Sequence, residues 1–325
     1  MLAAWYERGG PATEVLEVGE MDAPEPGNAD VRVRLRFSGI NPGDTKKRGD
    51  WVGFGLAFPR IVPHSDGAGV VEGVGEGVDA ARIGQRVWVY GAQSYRPFGT
   101  AAQLTVVPTE QAVELPDNVS DEVGACLGIP GITAHRAVFA DGPVASKTVL
   151  VHGVLGGVGS LAAQLARWRG ATVIGTVRRH SDLDRVGPAV AHAVALDQSE
   201  PAEAIRAHAS NGVDRIIEVA LSDNADLDAA VAANDAVIAA YATRHDRPEF
   251  PFWTMLFANI TIRLLGSDDF PVEAKRQAAS DLTAAAREGA LSIPVSDPLP
   301  LRDIAKAHHR VDAGTRERVL LSIPS

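Results

Sequence analysis

The run Lys147-Thr148-Val149-Leu150-Val151-His152-Gly153-Val154-Leu155-Gly156-Gly157-Val158-Gly159-Ser160-Leu161-Ala162 sets the architecture expected of the whole chain. It opens as a short β-branched apolar strand and passes through a glycine-dense turn. It then continues into Leu161-Ala162-Ala163-Gln164-Leu165-Ala166-Arg167-Trp168, whose apolar residues recur at helical spacing. Strand, tight turn and helix in that order form a cradle for a diphosphate. Turn glycines admit a phosphate to the backbone, and the helix start offers unpaired N–H groups and the positive end of its dipole. Glycines alone mark any tight bend; the flanking strand and helix turn them into a dinucleotide signal. Gly153, Gly156, Gly157, Val158 and Gly159 are therefore the residues expected to hold the diphosphate.

The next strand bears on which dinucleotide. Ala171–Val177 reads as a second parallel strand and ends in Arg178-Arg179. An acidic residue at that place accepts from the ribose 2′-OH of NAD, whereas guanidinium groups suit a 2′-phosphate through paired hydrogen bonds. Either the two arginines make NADPH the cofactor, which is the expectation, or they are only solvated, or Asp182 or Asp184 reaches back to the ribose.

At 325 residues the chain has room for two domains and a sizeable core. A net charge of −10 argues against a nucleic-acid or anionic-membrane surface, because phosphates need basic patches. Cys126 is the sole cysteine, so an intrachain disulfide and a cysteine-rich zinc site are both excluded. The opening Met1-Leu2-Ala3-Ala4-Trp5-Tyr6-Glu7 has no basic segment followed by an apolar one, and no apolar run approaches membrane-spanning length. The expected location is cytoplasmic.

Ahead of the cradle the chain reads as β-rich. Val31-Arg32-Val33-Arg34-Leu35-Arg36-Phe37 alternates apolar and charged residues, and Gly67–Val74, Gln85–Tyr90 and Ala101–Val107 follow as strands between Gly and Pro turns. Many short, punctuated strands suggest a barrel-like domain. Asp121–Ala140 reads as helical with a break near Gly128-Ile129-Pro130-Gly131. Beyond Lys147, strands are expected at Val149–His152, Ala171–Val177, Ala193–Leu196, Arg215–Val219, Ala236–Tyr241 and Ile260–Gly266, with helices between most of them, including Pro201–Ala209 and Ala225–Ala233. Such alternation means a doubly wound parallel sheet. Helices over Glu273–Gly289 and Leu301–Ala313 and a strand over Arg318–Ile323 close the chain.

In Ser38–Lys46, Pro63–Val71, Val149–Gly159, His309-Arg310-Val311 and Val319-Leu320-Leu321, the chain resembles the zinc-independent quinone oxidoreductase branch of the medium-chain dehydrogenase/reductase superfamily. The resemblance implies an α/β protein in which a GroES-like β-barrel catalytic domain accompanies a Rossmann doubly wound parallel sheet. The expected divisions are 1–125 for the first part of the catalytic domain, 126–266 for the cofactor domain and 267–325 for the return. It also implies a cofactor in the cleft between the domains and a homodimer joined through the edge strand Ile260–Gly266. The zinc-dependent branch carries Cys, Gly-His-Glu and a later Cys or His, where this chain has His64-Ser65-Asp66 and no sulfur near Gly39–Asn41. No metal is expected, because a catalytic zinc needs three protein ligands.

Without a metal, the simplest chemistry is hydride transfer from NADPH to a quinone or an enone, whose conjugation spreads the charge. The family places residues facing substrate and nicotinamide near Asn41 and Asp44. Asn41 is either a turn residue ahead of Pro42 or the donor of an amide N–H to a carbonyl. Asp44 is either part of this catalytic set, or a structural residue that caps the short helix that follows or holds Lys46 or Arg48. Lys46, where many relatives have tyrosine, is either a solvated lysine or the stabiliser of an enolate or phenolate oxygen. Thr133 stands where family members place a threonine close to the nicotinamide, and Tyr241 ends a sheet strand on the side where cofactors lie; an ordinary helix residue and a core tyrosine are their plainer readings. Arg318 matches the basic residue of the family's closing Gly-Lys-Val-Val-Leu and either reaches the cofactor or lines the domain boundary.

Trp51, Phe54 and Phe58 either wall a flat substrate or cover the barrel end, His308-His309 reads as helix surface, and Asp197 is unsuited to a 2′-phosphate nearby. The expected activity is an NADPH-dependent, zinc-independent reductase of quinones or related conjugated carbonyls. An enoyl or alkenal double-bond reductase is the alternative within enzymes, and a non-catalytic NADPH-binding sensor the alternative outside them.

Overall fold

The computed structural model describes residues 1–324 and divides into two compact units. The first comprises Met1–Pro130, Ala279–Arg287 and Ser292–Ser325, and the second Gly131–Ala278 and Glu288–Leu291. These divisions differ from the sequence-based 125/126 and 266/267. The helix Val272–Arg287 runs past the last strand, and the first two-fifths of it belongs to the second unit.

The first unit is built on the strand Asp30–Gly39. Val31, Val33 and Leu35 are buried, while Arg32 and Arg34 turn outward to pair with Glu72, as strand alternation requires. Irregular register between Arg32/Val33 and Leu35/Phe37 bends the strand as it pairs with Asp66–Val74. Leu104–Pro108 pairs on its other side, and Arg86–Val89, Ala112–Glu114 and the C-terminal Leu320–Ser322 complete most of a seven-stranded sheet. Valines from these strands form the core with Ile304 and Ala307 of the helix Ile304–Asp312. This is the GroES-like architecture.

The second unit is a six-stranded parallel sheet. In spatial order its strands are His192–Ala195, Thr172–Val177, Thr148–Val151, Val213–Glu218, Ala232–Ala240 and Thr261–Leu264. Counted from Thr148–Val151, that order is 3-2-1-4-5-6, the Rossmann arrangement, with its switch point between the first and fourth strands. Val149, Leu150 and Val151 are buried on both faces, which explains an uninterrupted apolar run in place of alternation.

Several boundaries move. The break expected near Gly128–Gly131 is the start of the helix Ile129–Phe139, and Pro130 sits in its first turn, where a missing N–H costs nothing. The helix expected over Ala225–Ala233 is Leu221–Val231, and Ala232 already pairs with Val213. A run of alanines carries no boundary signal; sheet pairing sets it. The edge strand is shorter than expected, Thr261–Leu264. Among the described residues no helix is long and apolar enough to cross a membrane.

Candidate nucleotide cradle and buried polar site

The second unit forms the cradle from the turn after Thr148–Val151. Gly153 has φ +63°, a left-handed conformation that favours glycine, and its carbonyl accepts from the Gly156 N–H at 2.8 Å. The helix Gly157–Trp168 starts there, with Gly156 as an N-cap that offers no side-chain acceptor. Its first amides are thus left for an outside anion. A Cβ on Gly159 would stand 2.5 Å from the Gly153 carbonyl oxygen, so only glycine lets the helix pack this closely on the turn. These features fit a diphosphate. Arg178 and Arg179 are exposed just beyond the strand Thr172–Val177. Asp197 accepts from the His180 N–H at 2.9 Å, so its carboxylate caps the turn that follows the arginines.

Beneath the cradle lies a polar cluster that sequence reasoning missed. His152 directly follows the first strand of the sheet and is buried together with Glu218 and Asp228. Its Nε2 is 2.9 Å from Asp228 Oδ1 and 3.6 Å from Glu218 Oε2, and its Nδ1 is 2.9 Å from Thr176 Oγ1. Asn224 donates to both Glu218 oxygens. Burial opposes a charge on His152, but the hydrogen bond and charge of Asp228, with Glu218 behind, hold its pKa above the usual value. Burial also raises the pKa of Glu218. The ligand atoms of the three lie within 4.8 Å of one another, a spacing open to a metal, and are joined here as an ion-paired knot. The signal was a lone histidine directly after an apolar strand. Tyr241 lies at the end of the fifth strand, donates its backbone N–H to the Glu218 carbonyl, and has its phenol pKa raised by burial and Glu218. Thr133 is buried in the helix Ile129–Phe139.

In the first unit, Asn41 begins the short helix Pro42–Arg48 and is buried. Its Nδ2 donates to Asp66 Oδ2 at 2.7 Å, and its Oδ1 accepts from Arg318 at 2.8 Å. A guanidinium only donates and an ionised carboxylate only accepts, so these partners fix which end of the amide is which. Asp66 is anchored in turn by the Ile129 N–H at 2.9 Å. Arg318 is thus placed on Asn41. Asp44 is buried beside them and accepts from the Asn41 backbone N–H at 2.7 Å, the helix-cap role. Burial, then the charge of Asp66, pushes its pKa up to about 7. The sign is destabilising: an unfolded carboxyl ionises from 3.8 upward, so Asp44 subtracts stability as pH rises towards about 7.

Lys46 is not part of this group; it is exposed with Nζ 5.4 Å from the centre of the Trp51 ring. Trp51 and Phe54 are exposed, whereas Phe58 packs on Tyr6, Val15 and Ile61. His308, expected on the surface, is wholly buried and its Nε2 is 2.8 Å from His64 Nε2. Its helix carries its apolar stripe through position 308, and sequence alone gave no sign of a second imidazole waiting there.

A GroES-like unit and a Rossmann-type sheet with a glycine cradle define a medium-chain dehydrogenase/reductase, an oxidoreductase class. Family models for the alcohol dehydrogenase GroES-like domain and for a zinc-binding dehydrogenase match residues 27–117 and 157–280. A quinone oxidoreductase from Mus musculus is 31% identical over 95% of this chain and 93% of its own. A mycobacterial quinone oxidoreductase of known structure is 26% identical with a TM-score of 0.87, covering 99% of both chains. A mycobacterial structure solved with NADPH is 25% identical with a TM-score of 0.84 and full coverage of both. The chain belongs to the quinone oxidoreductase branch of the medium-chain dehydrogenase/reductase superfamily, and it is an oxidoreductase.

Proposed function

We propose that this chain is an NADPH-dependent reductase of quinones or related conjugated carbonyls that works without zinc. The observation that carries the reading is Asn41: Asp66 and Arg318 fix its amide, and one of its two Nδ2 hydrogens has no such commitment. That N–H is the donor for a carbonyl oxygen that gains negative charge. When bound, the nicotinamide supplies the hydride. Gly153 to Gly159 hold its diphosphate, Arg178 and Arg179 take the 2′-phosphate, and Asp44 holds the proton that the reduced oxygen requires. Thr133 and Tyr241 serve on the cofactor side. His64 and Asp66 are already committed to other partners, which supports a zinc-free site. The relatives named quinone oxidoreductase support the substrate class.

The test is to mix purified protein with NADPH or NADH and a panel of quinones and enones. Oxidation of NADPH by quinones is expected. Turnover with enones only would assign a double-bond reductase, and binding with no turnover a sensor. Arg178→Ala with Arg179→Ala should weaken NADPH by about tenfold or more while leaving NADH nearly unchanged, because a charge-assisted bidentate pair is lost. Equal losses for both cofactors in fluorescence titrations would remove the arginines from the 2′-phosphate. The pH profile of turnover should show a limb near 7, set by Asp44, with activity falling above it as the proton is lost. Asp44→Asn should abolish that limb; an unchanged limb would assign it to another group.

The same reading takes the protein as a homodimer. The outer edge of Thr261–Leu264 faces no strand among the described residues, Leu264 on it is exposed, and Trp253 and Phe257 of the preceding helix Phe252–Phe257 are 67% and 76% exposed. Bare strand edges with apolar neighbours pair with copies of themselves. Leu264→Lys should shift the species seen by light scattering from dimer to monomer, and a wild-type monomer at micromolar concentration would sink the proposal.

A further inference from the structure

His64 has φ +75°, a left-handed backbone that favours glycine, yet it is a histidine with no exposed surface. Both of its ring nitrogens are engaged. Nδ1 lies 2.8 Å from Ser38 Oγ, and Nε2 lies 2.8 Å from His308 Nε2. Ser38 Oγ lies 2.8 Å from Thr100 Oγ1, which donates to the Asp66 carbonyl at 2.6 Å. At the other end Arg48 Nη1 is 3.5 Å from His308 Nδ1, and its Nη2 reaches Asp312 at 3.2 Å.

The direction of every link follows from either end. Arginine has no acceptor, so His308 Nδ1 accepts from Arg48 and Nε2 donates to His64. His64 Nε2 then accepts, and Nδ1–H donates to Ser38, which donates to Thr100. Starting from the Asp66 carbonyl, the single hydroxyl proton of Thr100 is spent there, so Ser38 must donate to Thr100 and His64 to Ser38. Both routes give one answer: two neutral imidazoles in opposite tautomers. Facing charges are confined to Arg48 on one helix and Asp312 on the other.

The chain ends on the residue whose carboxylate orients Asn41. We propose that His64 and His308 are positioning residues: through Ser38 and Thr100 they lock the backbone of Asp66, and through Asp66 the amide of Asn41. This rests on Asn41 acting as the carbonyl's donor, as argued above. It accounts for a histidine kept in a conformation that glycine would adopt freely, since strained backbone persists where its surroundings over-determine it.

Long-range proton–nitrogen NMR on histidine-labelled protein reads the chain without any turnover. Expected are His64 protonated at Nδ1 only and His308 at Nε2 only, neither titrating where an ordinary histidine does. Matching tautomers, or a charged ring, would overturn the proposal. His308→Leu should lower kcat by about tenfold or more with KM for NADPH unchanged, and speed exchange of the Asn41 side-chain amide. His308→Gln should restore both, because its oxygen accepts from Arg48 while its nitrogen donates to His64. Equal behaviour of the Leu and Gln variants would also overturn it. Should wild-type protein show the expected tautomers and amide protection but reduce no carbonyl, the reductase reading fails and so does the positioning role, while the tautomer assignment stands.

Discussion

His152→Ala should cost the Rossmann-type unit about 3–5 kcal/mol in urea unfolding, the loss typical when one partner of a buried ion pair is removed. Without the imidazole, the buried carboxyl groups of Glu218 and Asp228 face each other, and Asp228 Oδ2 already lacks a hydrogen-bond partner. His152→Gln keeps a donor for Asp228 and should recover part of the loss. The pH dependence has a definite sign. The folded pKa of His152 lies above its ordinary 6.5, so its charged contribution is complete below 6.5 and fades as pH rises through the higher folded value. The gap between wild type and His152→Ala should therefore narrow in alkali. A loss under about 1 kcal/mol at neutral pH would mean that the carboxyl groups are satisfied without histidine.

Gly159→Val should weaken NADPH by about a hundredfold, about 2.7 kcal/mol. The added Cβ would overlap the Gly153 carbonyl oxygen at 2.5 Å, and backbone is what must move. Moving it pulls the helix start off the turn, which separates the amides from the diphosphate they are proposed to hold. The matched control is Gly266→Ala, where an added Cβ meets nothing within 4 Å. Fluorescence titration of both variants measures the difference. Wild-type affinity in Gly159→Val would remove this turn from cofactor binding, and an equal loss in the control would point to general instability instead.

The parts of the protein that were legible share one property: their signal is local. A β-branched run, a glycine turn and a helical repeat adjacent in sequence place the cradle at Gly153–Gly159, and the alternation after Lys147 implies the parallel sheet. Arg178 and Arg179 could be placed at a strand end for the same reason. Lys46 shows the limit of this logic. Its place in the motif left it either a solvated lysine or the stabiliser of an oxyanion, and the fold sets its exposed ammonium over the Trp51 ring, a placement that spacing along the chain does not encode. The helix expected to run to Ala233 ends at Val231, because Ala232 already pairs with Val213 of the neighbouring strand.

The sequence by itself determined the class of fold, the strand–turn–helix through Gly153–Gly159 and the family, since periodicity and glycine spacing are written between near neighbours. Only the tertiary structure decided which polar side chains meet. Asn41 finds Arg318 across 277 positions, His64 finds His308 across 244, and His152 finds Asp228 across 76. A buried hydrogen bond needs donor and acceptor within about 3 Å and at a workable angle. Spacing along a chain carries no trace of that; packing alone brings such groups together, and burial then makes their pairing obligatory.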